Sequence, residues 1–275
     1  MPLRSILAAF SGDPASCTAL DFALKLQRRH GAHVTGMLWH GPIPLESRHR
    51  AFLSRGTATM LSGREDEAAL KAKADFEARV AAAGDPAAAS FVDLHEMETV
   101  SLPLRARAHD LVVMTRHAAE VGREHAEVRP DVVALRSGRP VITVPDDHLG
   151  EVPSHVVVAW DAKRAATRAL GDLVHVLGGA ERLTLLTVGG TPGSGAAEVA
   201  DVIALLERHG FDVRREHRPG GRQRINRVLL DTAAELGADM LAMGAYEHSK
   251  FSEDLWGGVT RDILTDAKLP VLMSH

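Results

Sequence analysis

The chain has 275 residues, a formal net charge of −4, 45% hydrophobic residues and 25% charged residues. This composition is typical of a soluble globular protein with one or two domains, and its acidic balance argues against a general nucleic-acid binder. No apolar run approaches the roughly 18 residues that a membrane helix needs, so we expect no membrane partner. The single cysteine, Cys17, excludes an intrachain disulfide and is typical of the cytoplasm, where we expect the protein to reside.

Strands alternate with helices along the first half of the sequence. Strands are predicted at 5–10, 34–39, 90–94, 111–115 and 141–144, and helices at 14–30, 64–83, 102–109 and 130–137. Asp13 followed by Pro14 is a helix-start signal, since aspartate caps the first turn and proline fits its first position. The stretch 41–63 has no clear period and is predicted to be a long surface loop.

The second half repeats the same alternation. Strands are predicted at 155–160, 183–188, 213–217, 239–243 and 271–273, and helices at 163–177, 196–209, 224–236 and 257–267. Strands that alternate with helices pair in parallel through right-handed crossovers. The sequence therefore predicts an α/β protein with a mainly parallel five-stranded sheet in each half.

Short matches between the halves indicate an internal duplication. The matching segments are 9–11 with 159–161, 110–114 with 239–243, and 139–141 with 269–271. They occur in the same order in both halves, although shared α/β composition can produce single matches. The break lies in a polar linker near 145–153, which predicts two domains, 1–147 and 151–275.

The strongest ligand signal lies in residues 239–275. A buried strand is stopped by Gly244, a polar loop follows, and Gly257 and Gly258 open a helix. Free N–H groups and the helix dipole favour an anion at a helix N-terminus, and glycine lets a phosphate approach the main chain. The alternative is that these glycines only open the helix tightly against the sheet.

The spacing of this stretch resembles the nucleotide loop of the universal stress protein family, usually G-x2-G-x9-G-[ST]. Gly244 and Gly257 stand at matching positions, and Met243 and Pro270 also resemble the family. Two positions depart from the pattern. Glu247 replaces the second glycine and Gly258 replaces the first hydroxyl residue, although Thr260 offers a hydroxyl two residues later.

The resemblance implies two tandem Rossmann-like sandwiches of the HUP type, with ATP or ADP, and Mg with the nucleotide, bound in the second half. The residues that it implies for the site are Asp161, Val188, Met243, Gly244, Gly257, Gly258, Val259 and Thr260. Asp161 would contact the base or sugar, or else only cap the following helix, and Val188 would pack on the base or else only in the core. The glycine-rich segment 189–195 lacks P-loop spacing and is interpreted as a connector.

The first half has no glycine loop after its fourth strand. We interpret it as the same fold without the nucleotide loop. The alternative is a different anion site formed by Arg116, His117, Arg123 and Arg129. The 15 histidines are scattered and predict no metal site.

Three functions are consistent with the sequence. The first is a tandem universal stress protein that binds an adenine nucleotide in its second half only. The second is an interaction protein of the same fold without nucleotide, in which the final strands pair the two halves of one chain or form a homodimer. The third is an enzyme such as a slow ATPase, for which no catalytic arrangement stands out.

Overall fold

A computed structural model describes residues 3–38, 55–83 (backbone only for 55–65), 85–94, 101–116, 129–149, 151–178, 181–190, 195–221, 223–245 and 258–275. The N-terminal half contains β1 (Ser5–Ala9), α1 (Pro14–His30), β2 (His33–Leu38), α2 (Arg55–Ala83), β3 (Ala89–Asp93), α3 (Leu102–Ala106), β4 (Leu111–Thr115), α4 (Pro130–Ser137) and β5 (Val141–Val144). The C-terminal half contains β6 (His155–Ala159), α5 (Arg164–Leu177), β7 (Arg182–Val188), α6 (Ala196–Arg208), β8 (Asp212–Arg218), α7 (Ile225–Glu235), β9 (Met240–Gly244), α8 (Gly258–Asp266) and β10 (Val271–Ser274).

The described strands form one ten-stranded sheet in the order β3-β2-β1-β4-β5-β10-β9-β6-β7-β8. Pairing is parallel within each half, as the alternation of strands and helices predicted. Each half has the same strand order when it is read outwards from the centre of the sheet. The predicted α/β class with five mainly parallel strands in each half is confirmed.

The two halves join through their final strands. Strand β5 pairs antiparallel with β10, with Ile142 opposite Leu272 and Val141 opposite Met273. This pairing confirms the expectation that the chain pairs its own halves. Because each strand covers the edge of the other, a homodimer of this chain needs a different surface.

Helices cover both faces of the sheet. On one face α1, α2, α5 and α6 pack on a single cluster of buried side chains that runs through both halves, with Leu20, Phe76, Leu170 and Leu206 among its members. The opposite face has two separate clusters, one under α3 and α4 and one under α7 and α8. The shared cluster buries apolar surface from both halves at once, so the halves stabilise each other.

Helix α2 is longer than the sequence indicated. It begins at Arg55, so the loop predicted over 41–63 is wrong for residues 55–63, and residues 41–54 lie outside the described ranges. The loop was predicted because the stretch has no clear period, and Gly56 and Gly63 add to this, since a glycine inside a helix costs about 1 kcal/mol relative to alanine. Extending an existing helix needs no new nucleation. The helix predicted at 64–83 can therefore continue upstream through two glycines.

An exposed aspartate anchors the start of the first strand in each half. Oδ2 of Asp110 accepts hydrogen bonds from the N–H groups of Arg4 and Ser5, both at 3.0 Å. Oδ2 of Asp239 accepts them from Ser154 at 2.9 Å and His155 at 3.0 Å. The same contact at matching positions supports the duplication that the sequence repeats indicated.

The described part of the chain contains no helix that is both long enough and apolar enough to cross a membrane.

The last residue of α1, His30, packs against the end of α5 in the other half. Burial lowers the pKa of His30 below its ordinary 6.5, although a hydrogen bond to the carbonyl of Val176 opposes this shift. Its Nε2 is buried and has no hydrogen-bond partner among the described residues. The unfolded chain therefore takes up a proton near pH 6.5 and the folded chain only at lower pH, so stability falls as the pH drops below 6.5.

We expect the thermal midpoint of the His30→Gln variant to fall less steeply than that of the wild type between about pH 8 and pH 5. Glutamine does not titrate in this range, so the contribution of His30 is removed. Each 1 kcal/mol of lost stability lowers the midpoint by roughly 2–4 °C, which calorimetry resolves. The exposed His209 provides the control, since His209→Gln should leave the slope unchanged. Equal slopes in all three proteins would contradict the prediction.

Candidate functional site

The carboxyl ends of β6 and β9 form a crevice at the edge of the C-terminal half. From β6 the chain moves outwards to β7 and β8, and then returns to β9 on the other side of β6. Open α/β sheets bind ligands at such switch points, because the connections leave the crevice in opposite directions. Asp161 follows β6, Val188 ends β7 and Gly244 ends β9, so three predicted site residues meet at this edge.

Gly244 brings the start of α5 against the end of β9. A Cβ atom on Gly244 would lie 2.5 Å from the carbonyl carbon of Ala165 and 2.6 Å from the nitrogen of Ala166. These are backbone atoms, which cannot rotate away. Glycine is therefore required here by strand–helix packing, and the N-terminus of α5 lies at the crevice as a consequence.

Asp161 makes a local turn at this N-terminus. Its Oδ1 accepts a hydrogen bond from the N–H of Lys163 at 3.1 Å, and its Oδ2 lies 3.3 Å from the ammonium of Lys163. Asp161 is not the N-cap of α5, since Lys163 holds that position. The side chains of this ion pair are about half exposed, at 52% and 42%, so the pair is weak and a ligand can compete for it.

Ala162, which lies between Asp161 and Lys163, has a left-handed backbone with φ of 60°. Gly12 has a φ of 77° at the matching position of the N-terminal half. A left-handed conformation costs an alanine about 1 kcal/mol, whereas glycine adopts it freely. Such strain concentrates at functional sites, which is consistent with the location of Ala162 at the crevice.

The two halves carry opposite charges at the matching helix starts. In the N-terminal half Asp13 is the N-cap of α1, and its Oδ1 accepts from Ala15 at 2.9 Å and from Ser16 at 3.0 Å. Burial alone would raise the pKa of Asp13, but hydrogen bonds from Ser11, Ser16 and Ala15 lower it below its ordinary value, so the carboxylate stays ionised. In the first half the helix start thus already holds an anion.

In the C-terminal half the N-cap is Lys163, whose side chain makes no capping hydrogen bond, and Arg164 follows it. The predicted site residues did not include these two cations. The repeat offset could have found them, because it aligns Asp13 with Lys163 and Pro14 with Arg164. An incoming anion meets a carboxylate in the first half, whereas in the second it meets two cations, of which Lys163 is paired with the half-exposed Asp161.

Three predicted apolar site residues belong to one cluster beside the crevice. Val188 and Val259 are partly buried, and Met243 is 4% exposed. The two valines therefore offer an apolar surface that stays accessible, whereas Met243 lies beneath it. This arrangement is compatible both with packing on a flat ring and with ordinary core packing.

Helix α8 begins at Gly258, one of the predicted phosphate contacts. A Cβ atom on Gly258 would meet nothing within 4 Å, so the space in front of the helix start is open on the described side. Thr260 is 4% exposed, so the hydroxyl that the sequence offered as a substitute is buried. Gly257 and Glu247 lie outside the described residues.

The glycine-rich segment after β7 has a packing role in its described part. The N–H of Gly189 donates to the carbonyl of Arg218 at 2.9 Å, and a Cβ on Gly220 would lie 3.1 Å from the Cα of Gly189. Two backbones approach closely here, which accounts for both glycines. This packing favours a connector at Gly189 and Gly190, and residues 191–194 lie outside the described ranges.

Two of the four residues proposed for a separate anion site in the N-terminal half have other partners. Arg129 forms a buried ion pair with Asp131, and Arg116 donates to carbonyls of the C-terminal half. His117 and Arg123 lie outside the described residues. The two described arginines do not converge on a common anion site, so this alternative loses its support.

Within the described ranges, no three acidic, histidine or cysteine side chains come together as a metal site would require.

The crevice combines three features of the ligand sites of α/β proteins: a switch point, two helix N-termini and an apolar wall. The chain matches the profile of the universal stress protein family over residues 139–275. It belongs to this family through its C-terminal half, and its N-terminal half repeats the same strand order. The comparison with curated proteins gave no match.

Solved structures show the same fold over the whole chain. A universal stress protein from Archaeoglobus fulgidus DSM 4304 aligns with a TM-score of 0.70 and 16% identity over 98% of this chain and 95% of its own. A putative universal stress protein from Pseudomonas aeruginosa UCBPP-PA14 aligns with a TM-score of 0.56 and 15% identity over 99% and 93%. A universal stress protein solved in complex with cAMP covers 45% of this chain and 97% of its own, at 19% identity and a TM-score of 0.38, which is too low to support an argument.

Proposed function

We propose that the protein is a tandem universal stress protein that binds an adenine nucleotide, ATP or ADP, in its C-terminal half only. The proposal includes the division into domains 1–147 and 151–275 and a stress-response role. A cytoplasmic location belongs to the same proposal and is consistent with the buried free thiol of Cys17.

One observation carries the proposal. The helix start at the crevice holds its own carboxylate, Asp13, in the N-terminal half, and a lysine, Lys163, at the matching position of the C-terminal half. A built-in anion repels a phosphate and satisfies the helix dipole, whereas a lysine attracts one. This difference in charge supports binding in one half only.

The residues of the crevice fit the parts of an adenine nucleotide. None of the described residues lies within 4 Å of a Cβ at Gly258, where a phosphate would approach the N-terminus of α8, and Lys163 and Arg164 would supply positive charge from the start of α5. Asp161 can accept hydrogen bonds from a ribose, and Val188 and Val259 offer an apolar wall for the base. Gly244, Met243 and Thr260 would support this surface from beneath.

We expect Gly258→Asp to weaken nucleotide binding by about ten-fold or more. One additional like charge near a phosphate costs about 1–4 kcal/mol, depending on screening. The variant should fold, because the Cβ has open space and an acidic residue stabilises a helix start. Isothermal titration with ATP and with ADP, each with and without magnesium, measures the effect.

Gly258→Ser is the control, because it adds a short polar side chain without the charge. It also restores the hydroxyl of the family pattern, so we expect affinity equal to that of the wild type or higher. Wild-type protein that binds neither nucleotide would overturn the proposal. Equal affinity in Gly258→Asp and the wild type would exclude the α8 start as the phosphate site.

The presence of Glu247 at the second glycine position favours a second candidate, an interaction protein of the same fold that binds no nucleotide. This candidate would be supported if the wild-type protein bound neither ATP nor ADP in the titration. Catalysis is no part of the proposal.

A further inference from the structure

Arg116 of the N-terminal half contacts the end of α8 in the C-terminal half. Its Nη1 donates to the carbonyl oxygen of Thr265 at 2.8 Å and to that of Ala267 at 3.3 Å. The last carbonyls of a helix have no partner within the helix, and a cation there is stabilised by the helix dipole. Arg116 thus supplies the C-terminal contact of α8 from the other half of the molecule.

The other end of the same helix is the proposed phosphate site. Helix α8 has 9 residues, so about 13 Å separates its two ends and it moves as one body. Ile263 and Leu264 bury its middle, whereas a Cβ at Gly258 would have no described residue within 4 Å. Helix α8 is therefore held by its buried middle, by an ion pair of Asp262 with Arg224 at the start of α7, and by the contact of its C-terminal end with Arg116.

The sequence position of Arg116 adds to this argument. Arg116 follows β4 directly, as Ala245 follows β9, so it occupies the place where a nucleotide loop would start in the N-terminal half. Ala245 is fixed locally, since its N–H donates to the carbonyl of Ser274 at 2.8 Å. At the matching place of the N-terminal half, the N–H of Arg116 donates in the same way to the carbonyl of Val144 at 3.4 Å, and its side chain in addition contacts the helix of the C-terminal site.

We propose that Arg116 is a positioning residue through which the N-terminal half sets the orientation of α8 and thereby the nucleotide affinity of the C-terminal site. The effect on affinity rests on the proposed function. The contact with α8 does not, because it forms without any ligand.

Hydrogen exchange and titration of the full chain test this inference. Arg116→Ala should speed amide exchange across residues 258–267 and weaken nucleotide binding by roughly three- to ten-fold, as expected for the loss of a charged helix-end contact. Arg116→Lys keeps the charge at the helix end and should restore part of both effects. The thermal midpoint shows whether the variants remain folded.

Arg168→Ala is the matched control. Arg168 also donates across the two halves, from its Nη2 to the carbonyl of Gly138 at 3.3 Å, but this carbonyl lies at the end of α4. Its loss should leave α8 exchange and nucleotide affinity unchanged. Unchanged α8 exchange in Arg116→Ala, or an equal change in Arg168→Ala, would overturn the inference. Absence of nucleotide binding by the wild type would overturn the proposed function, and the exchange result would still decide whether Arg116 holds α8.

Discussion

Replacing Gly244 with alanine should lower the free energy of unfolding by about 3 kcal/mol. The added Cβ would lie 2.5 Å from the carbonyl carbon of Ala165 and 2.6 Å from the nitrogen of Ala166. Both atoms belong to the first turn of α5, so relief requires β9 and α5 to separate. These two elements pack in the large cluster that runs through both halves, and so the cost extends beyond the crevice.

Urea titration or calorimetry measures this effect, which corresponds to a fall in thermal midpoint of roughly 6–12 °C. Gly171→Ala provides a control, because we expect it to raise the free energy of unfolding. Gly171 lies inside α5 with nothing within 4 Å of its Cβ position, and alanine stabilises a helix interior by about 1 kcal/mol relative to glycine. A Gly244→Ala variant as stable as the wild type would show that β9 and α5 do not pack as described.

Replacing Glu247 with glycine should strengthen nucleotide binding by about ten-fold to several hundred-fold. The glutamate stands where the family pattern has its second glycine, which lets the loop pass close to the phosphates. A like charge at about 4 Å from a phosphate costs about 1–4 kcal/mol, and the side chain adds bulk. Glycine removes both the charge and the bulk of the side chain, and so makes the loop more similar to the family pattern.

Isothermal titration with ATP and ADP compares this variant with Glu247→Gln, which removes the charge and keeps the bulk. We expect affinity to increase from the wild type to the glutamine variant and again to the glycine variant. The salt dependence of the wild type gives a second measure, because screening reduces only the charge effect. Equal affinities in the three proteins would show that residue 247 lies away from the phosphates.

The order of strands and helices could be predicted from the sequence because the relevant signals are local. Apolar runs, the Asp13–Pro14 helix start and the Gly31 stop each act within a few residues, and all three are present as expected. Helix α2 is the exception. The stretch 41–63 has no clear period in the sequence, while in the folded chain the helix begins at Arg55 and extends through Gly56 and Gly63.

The site was predicted less completely. The pattern from Gly244 to Gly258 predicted a site at the carboxyl edge of the sheet, since a parallel α/β order places these positions together. It missed Lys163, because a lysine at a helix start carries no motif of its own. It included Gly244 among the site residues but gave no sign that the backbone of α5 also requires a glycine there.

By itself the sequence determined the α/β class, the duplication, the family resemblance and the half in which a phosphate cradle could form. Only the tertiary structure decided how the halves meet, through β5 and β10, and which charges face the crevice. It also decided that Arg116 holds the end of α8. These features depend on contacts between residues more than 100 positions apart, and no local pattern encodes such contacts because they arise only when separate elements pack together.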